Sequence, residues 1–126
     1  MPPRDDTLRL RHMLDHATEA VELVRGKTRE DLDRDRVLSL ALVRLLEIIG
    51  EAANRLSQDT REAATAVPWK QIIGLRNRLI HGYDEVDLDV VWHILKDDLP
   101  PLIIELSRLS AGHAPGDGSV KGEGRS

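Results

Sequence analysis

The run VLSLALVRLLEIIGEAANRL, residues 37–56, constrains the fold of this chain more than any other stretch. Leu38, Leu42, Leu45, Ile49 and Ala52 recur at helical spacing and make one apolar face. Val37, Leu40, Val43 and Ile48 spread apolar surface around the other sides. A helix apolar on most sides belongs in the middle of a bundle, or it faces both its own core and a partner chain. The pattern predicts one long helix from Arg36 to Leu56, and the rest of the chain must cover it. Gly50 in its interior costs roughly 1 kcal/mol relative to alanine and allows another helix to cross closely.

The covering segments also read as helices. Leu10, Met13, Leu14, Ala17, Val21 and Val24 form a stripe on a helix that starts at Asp5 or Asp6 and ends near Val24. Thr28 and Asp31 are spaced to cap a short turn, TREDLDR. Ser57 to Val67 reads as a polar turn with a short helix. Pro68 then suits the first turn of a helix running to His81 and closed by Gly82. Ile72, Ile73, Leu75, Leu79 and Ile80 supply its buried side. Asp87 can cap a last helix that passes Trp92, Ile94, Leu95 and Leu99 and reaches Leu109. Pro100 and Pro101 should kink or split that helix. No repeat and no strand pattern emerges.

Aromatic residues are only 2% of the chain, with no phenylalanine, so the core must be aliphatic. Aliphatic cores suit packed helices better than sheets, which favour aromatic and β-branched residues. The expected architecture is all-α: a helical bundle of four main helices plus one or two short ones. Residues 1–110 make one domain. Residues 111–126, which hold five of the chain's nine glycines, read as a disordered tail.

Charge and composition exclude several function classes. A formal net charge of −4 argues against a dedicated duplex-DNA binder. The absence of cysteine removes disulfides and thiolate metal sites. No segment approaches the roughly 20 apolar residues that span a bilayer, and MPPRDDTLRLRH does not resemble a signal peptide. The expected location is therefore the cytoplasm, with no membrane partner.

The chemistry concentrates in RNRLIHGY, residues 76–83. Arginine presents a planar fork of donors to phosphate oxygens, and histidine exchanges protons near neutral pH. Together they suffice, without a metal, for cleavage of RNA by its own 2′-hydroxyl. One group takes the 2′-OH proton, another protonates the leaving oxygen, and a cation stabilises the charged transition state. On a continuous helix, Arg76 and His81 lie roughly 140° apart in azimuth and about 7.5 Å apart along the axis. Asn77 and His81 would be i, i+4 neighbours. One such helix offers a single histidine. A homodimer would bring two histidines and four arginines to one cleft, and the broad apolar surface of the long helix favours one. Lys70, Arg76 and Arg78 form a small basic cluster suited to weak, salt-sensitive RNA contact.

The run LRNRLIHGYDEVDLDVVW, together with LEIIGEAANRLS and PWKQIIGLRN, resembles the HEPN superfamily and its HepT-like branch. That branch's motif is arginine, four residues, histidine, one residue, tyrosine. Arg76, His81 and Tyr83 meet it, with Asn77 in the polar position after the arginine. The likeness spans roughly Asp6 to Leu109. It implies a homodimeric helical bundle that acts as a metal-independent ribonuclease toxin, with no cofactor. Arg76 and His81 would be catalytic, and Asn77, Arg78 and Lys70 would support them or contact RNA. The implied partner is an MntA-like nucleotidyltransferase antitoxin, which in some members transfers AMP onto the motif tyrosine, here Tyr83. Two rivals remain at this level: a catalytically silent dimer that binds a nucleotide or a partner, and a purely structural dimer.

Other polar groups read as structural. Asp84, Glu85, Asp87, Asp89 and His93 could be imagined around a metal, but a polar turn, a helix cap and a solvated face account for them. Glu47 and Glu51 are expected to partner Arg44, Arg55 or the motif arginines. Trp69 and Trp92 are expected in the core or an interface, not on a base-stacking platform.

Overall fold

A computed structural model describes residues 4–81 and 85–112. The predicted all-α architecture is what it shows. Helices run in the order α1 (Arg4–Leu23), α2 (Arg29–Arg34), α3 (Arg36–Asn54), α4 (Gln58–Glu62), α5 (Trp69–Ile73), α6 (Leu75–Leu79), α7 (Leu88–His93) and α8 (Leu99–Gly112). Two short strands, β1 (Ile80–His81) and β2 (Glu85–Val86), lie between α6 and α7. The expected tail begins two residues too early: residues 111 and 112 end α8, and 113–126 lie outside the described residues.

The long apolar helix is central. Leu42, Leu46 and Ile49 of α3 are fully buried against Leu10, Met13 and Ala17 of α1, and Leu99, Leu102 and Leu106 of α8 complete the core. α1 packs along both α3 and α8, while α5 and α6 pack on α3. Two apolar residues of α3 stay outside: Val37 is 77% exposed and Leu40 54%. They mark the side of α3 that this chain leaves uncovered.

The caps follow the sequence. The Thr28 N–H donates to the Asp31 carboxylate at 2.7 Å. Asp35 accepts from the Leu38 N–H at the start of α3. Ser57 caps α4 and is itself held from across the chain. Its backbone N–H and Oγ donate to Asp6, as does Thr60 Oγ1 at 2.5 Å. Burial pushes the Asp6 carboxyl up, but these hydrogen bonds and the Arg9 guanidinium outweigh it and hold its pKa below the ordinary value. This staple fixes the start of α1 to the α3–α4 corner.

Three further expectations are corrected. The helix expected from Pro68 to His81 is two short helices broken at Gly74, and it ends at Leu79. Ile80 has φ −107° and ψ 119°, extended backbone that suits a β-branched residue. It pairs with Val86 as His81 pairs with Glu85 in an antiparallel ladder, so a strand exists where none was expected. The Asp87 N–H donates back to the Leu79 carbonyl at 2.9 Å, which ties the hairpin's base to the end of α6. The third correction concerns the prolines. Pro100 and Pro101 sit in the first turn of α8 instead of splitting it, and the irregularity lies one turn earlier, as a π-turn over Ile94–Asp98. A proline ring clashes with the carbonyl four residues back and leaves it without a donor. For this pair those carbonyls belong to Lys96 and Asp97, inside the π-turn.

Candidate active site

The motif helix α6 is placed by glycine and by burial. A Cβ on Gly50 would stand 3.1 Å from the Ile72 carbonyl oxygen and 3.6 Å from Leu75 Cβ. The missing side chain therefore lets the α5–α6 corner press directly on α3, as the close crossing expected at this glycine requires. Leu75 and Leu79 are fully buried and anchor α6 at both ends. The residues between them, Arg76 and Asn77, are exposed, and Arg78 is half-buried.

Arg76 projects to solvent, with 72% of its side chain exposed, and its Nε lies 3.7 Å from Glu47 on α3. Glu47 also lies 3.7 Å from Arg44, which reaches Glu51 at 4.0 Å. Both glutamates thus partner arginines, as expected. The arginine end of this pair is solvent-exposed, and ion pairs with an exposed member are worth at most about 1 kcal/mol, so Glu47 holds Arg76 loosely. Arg78 points elsewhere: its Nη2 lies 3.2 Å from Asp98 Oδ2 in the π-turn, and its Nη1 is buried with no hydrogen-bond partner among the described residues. Lys70 is exposed on α5, beside a shallow groove lined by Arg61, Trp69 and Ile73. The expected basic cluster is therefore thinner than its sequence suggests, because Arg78 is committed to an internal carboxylate.

His81 lies on β1, paired with Glu85, and not in the last turn of a helix. The helical azimuth and rise expected between Arg76 and His81 do not apply, and Asn77 and His81 are not i, i+4 helical neighbours. The physical reason is the switch to extended backbone at Ile80. The motif is instead split between an exposed arginine on α6 and a histidine on the adjoining hairpin, with only Leu79 and Ile80 between helix and histidine. Tyr83 and Asp84 lie outside the described residues.

The acidic residues after the hairpin have structural roles. Asp87 caps α7 by accepting from the Asp89 and Val90 N–H groups. Asp89 binds Arg29 Nε at 2.7 Å, joining α7 to α2 and raising the Arg29 pKa. His93 Nδ1 lies 2.8 Å from Asp97. Among the described residues, no group of three or more His, Asp or Glu side chains is placed to hold a metal ion. Trp69 is half-buried and donates Nε1–H to the Arg61 and Ala64 carbonyls. Trp92 carries Lys96 over its ring at 5.2 Å. Both behave as packing residues. Among the described residues, no helix is long and apolar enough to cross a membrane. Sequence reasoning missed Asp98; the available signal was an acidic residue inside the apolar stripe of the last helix, directly before Leu99-Pro100-Pro101.

Comparison with known proteins bears on this geometry. Residues 13–109 match the family described as ribonuclease HepT-like. A provisionally named RNase of Caldanaerobacter subterraneus subsp. tengcongensis is 42% identical over 93 residues, covering 74% of this chain and 83% of that protein. A provisionally named RNase of Methanocaldococcus jannaschii is 36% identical over 102 residues, covering 81% and 94%. A protein of Thermococcus cleftensis named "Probable ribonuclease HepT" is 38% identical over 93 residues, covering 71% and 84%. No solved structure matches the chain.

Proposed function

The chain belongs to the HepT-like ribonuclease family, and from that premise we propose that it cleaves RNA without a metal ion, using Arg76 and His81 contributed by two copies of itself. The 2′-hydroxyl attacks phosphorus, the bond to the 5′-oxygen breaks, and a cyclic phosphate and a free 5′-hydroxyl result. One His81 takes the 2′-OH proton and the other protonates the leaving oxygen. Arg76 from each copy stabilises the charge that builds on the phosphoryl oxygens. Asn77 and Lys70 contact the RNA, and Arg78 supports the motif helix.

The observation that carries this reading is Arg76 itself: an exposed guanidinium, lightly held by Glu47, at the foot of the hairpin that bears His81. The uncovered Val37 and Leu40 lie on the same helix as Glu47 and supply an apolar seam for a second copy. The same reading makes the protein the toxin of a toxin–antitoxin pair, acting in the cytoplasm. Its antitoxin, an MntA-like nucleotidyltransferase, silences it by transferring AMP from ATP to the Tyr83 hydroxyl, with pyrophosphate as the leaving group. The added phosphate would carry negative charge two residues along the chain from His81 and repel RNA. Residues 1–110 suffice for the activity, and the tail does not contribute.

The test uses the full chain, RNA and excess chelator, with Arg76→Ala and His81→Ala in parallel. Cleavage by the parent and at least a hundredfold less by each variant is expected. Equal behaviour of all three proteins, or activity abolished by the chelator, overturns the reading. Co-expression with the antitoxin followed by intact mass tests Tyr83; a mass gain that persists in Tyr83→Phe removes that assignment.

A further inference from the structure

The last helical segment contains an anomaly that the ribonuclease reading does not use. If α7 continued as a regular helix, Asp98 would follow Val91 by seven residues, Ile94 by four and Leu95 by three. It would then share their face. All three are at most 1% exposed, so a carboxylate there would be buried among aliphatic groups, a costly placement. The π-turn avoids this. The Leu99 N–H bonds to the Ile94 carbonyl, five residues back instead of four. Each helical residue turns the chain by about 100°, so the slip moves Leu99 into the buried slot and Asp98 to its edge. Leu99 is indeed fully buried, and the Asp98 side chain keeps 23% exposure.

At that edge Asp98 meets the motif helix. Its Oδ2 lies 3.2 Å from Arg78 Nη2, across 20 residues of chain, and its Oδ1 lies 3.8 Å from His93 Nε2. Arg78 is two residues from Arg76, and α6 has only the five residues Leu75–Leu79. A helix that short has little stability of its own; packing and this ion pair must set its orientation. We propose that Asp98 is a positioning residue: through Arg78 it fixes the pose of α6, and with it the direction in which Arg76 is presented. Pro100 and Pro101 follow just after the π-turn, and neither can donate a backbone N–H to its carbonyls. This inference rests on the ribonuclease reading, and it names Asp98 as the group through which Arg78, expected from the sequence to contact RNA, supports the motif helix instead.

The experiment measures the full chain, Asp98→Asn and Asp98→Glu by two methods: cleavage of a fluorescent oligoribonucleotide and backbone hydrogen exchange. Asp98→Asn is expected to lower kcat about tenfold with KM changed less than about twofold. Asp98→Glu is expected to recover most of that loss. In Asp98→Asn the amides of α6 should exchange faster, while those of α1 and α3 keep their protection. Unchanged kcat, a rise in KM alone, or unchanged exchange in α6 each overturns the proposal; a rise in KM alone would return Arg78 to direct RNA contact. If the parent cuts no RNA, the ribonuclease reading fails by itself, and exchange then decides whether Asp98 holds α6.

Discussion

Gly50→Ala separates two opposed effects whose sizes the structure allows to be compared. In an exposed helix the change would stabilise by about 1 kcal/mol, because glycine loses more backbone freedom on folding. Here the new methyl would stand 3.1 Å from the Ile72 carbonyl oxygen, 3.5 Å from that of Ile73 and 3.6 Å from Leu75 Cβ. The nearest two atoms are backbone, so no rotamer change relieves the contact. The α5–α6 corner must move outward by a few tenths of an ångström. Ile72 and Leu75, at most 1% exposed, would shift with it. Overpacking of this kind costs about 1–3 kcal/mol, which exceeds the propensity gain over most of its range.

The expected net effect is a destabilisation of about 1 kcal/mol, or a fall in Tm of about 4 °C for a domain of this size. Thermal unfolding followed by circular dichroism measures it. Cleavage should fall further than stability, because the corner that moves also carries Arg76. A Tm raised by several degrees would refute the reasoning: helix propensity would then dominate, and the crossing would not need a glycine.

The Asp6 staple gives a pH-dependent prediction. Its folded pKa is depressed, so its contribution to stability is fully present above the unfolded value of about 3.9 and is lost as pH falls through the lower folded value. Asp6→Asn should cost about 1–3 kcal/mol at pH 7 and flatten the decline below pH 4; urea midpoints at pH 7 and pH 3 that fall in parallel with those of the parent would contradict this. The uncovered face of α3 gives another. Leu40→Asp with Val37→Asp should leave the fold intact, since both side chains are exposed, and should convert the proposed dimer, seen by light scattering for the parent, into a species of 14.1 kDa. An unchanged mass would remove that face as the seam, and full cleavage by the monomer would remove the need for two histidines.

Much of the fold was legible because it follows from helical periodicity and capping chemistry. Leu42 and Ile49 on α3, and Leu10, Met13 and Ala17 on α1, fall where the spacing put them. Asp87 caps α7, and the Thr28 N–H meets the Asp31 carboxylate, as their spacing suggested. What escaped was set by contacts distant in sequence. The ending of α6 at Leu79 depends on Ile80 finding Val86 across a hairpin, which no local propensity declares. The partner of Arg78 depends on a change of hydrogen-bond register in another segment. Residue types therefore pointed to the chemistry of the candidate site, whereas its geometry depended on tertiary structure.

The hairpin and the π-turn raise the same physical problem and answer it differently. For the proposed cleavage, a five-residue helix must present one arginine in a fixed direction, although it has little intrinsic stability to resist rotation. Burial of Leu75 and Leu79 holds its axis, but two apolar anchors still permit rocking. Gly50 removes that freedom on the α3 side by bringing backbone against backbone. The Asp87 N–H on the Leu79 carbonyl limits it at the C-terminal end. Asp98 limits it through Arg78, the one of these three restraints that uses charge. Weakening the glycine contact or the hairpin bond should disturb stability and activity together. Asp98→Asn keeps the shape of the side chain and removes only the charge that Arg78 meets, so hydrogen exchange confined to α6 separates a loss of pose from a loss of the fold.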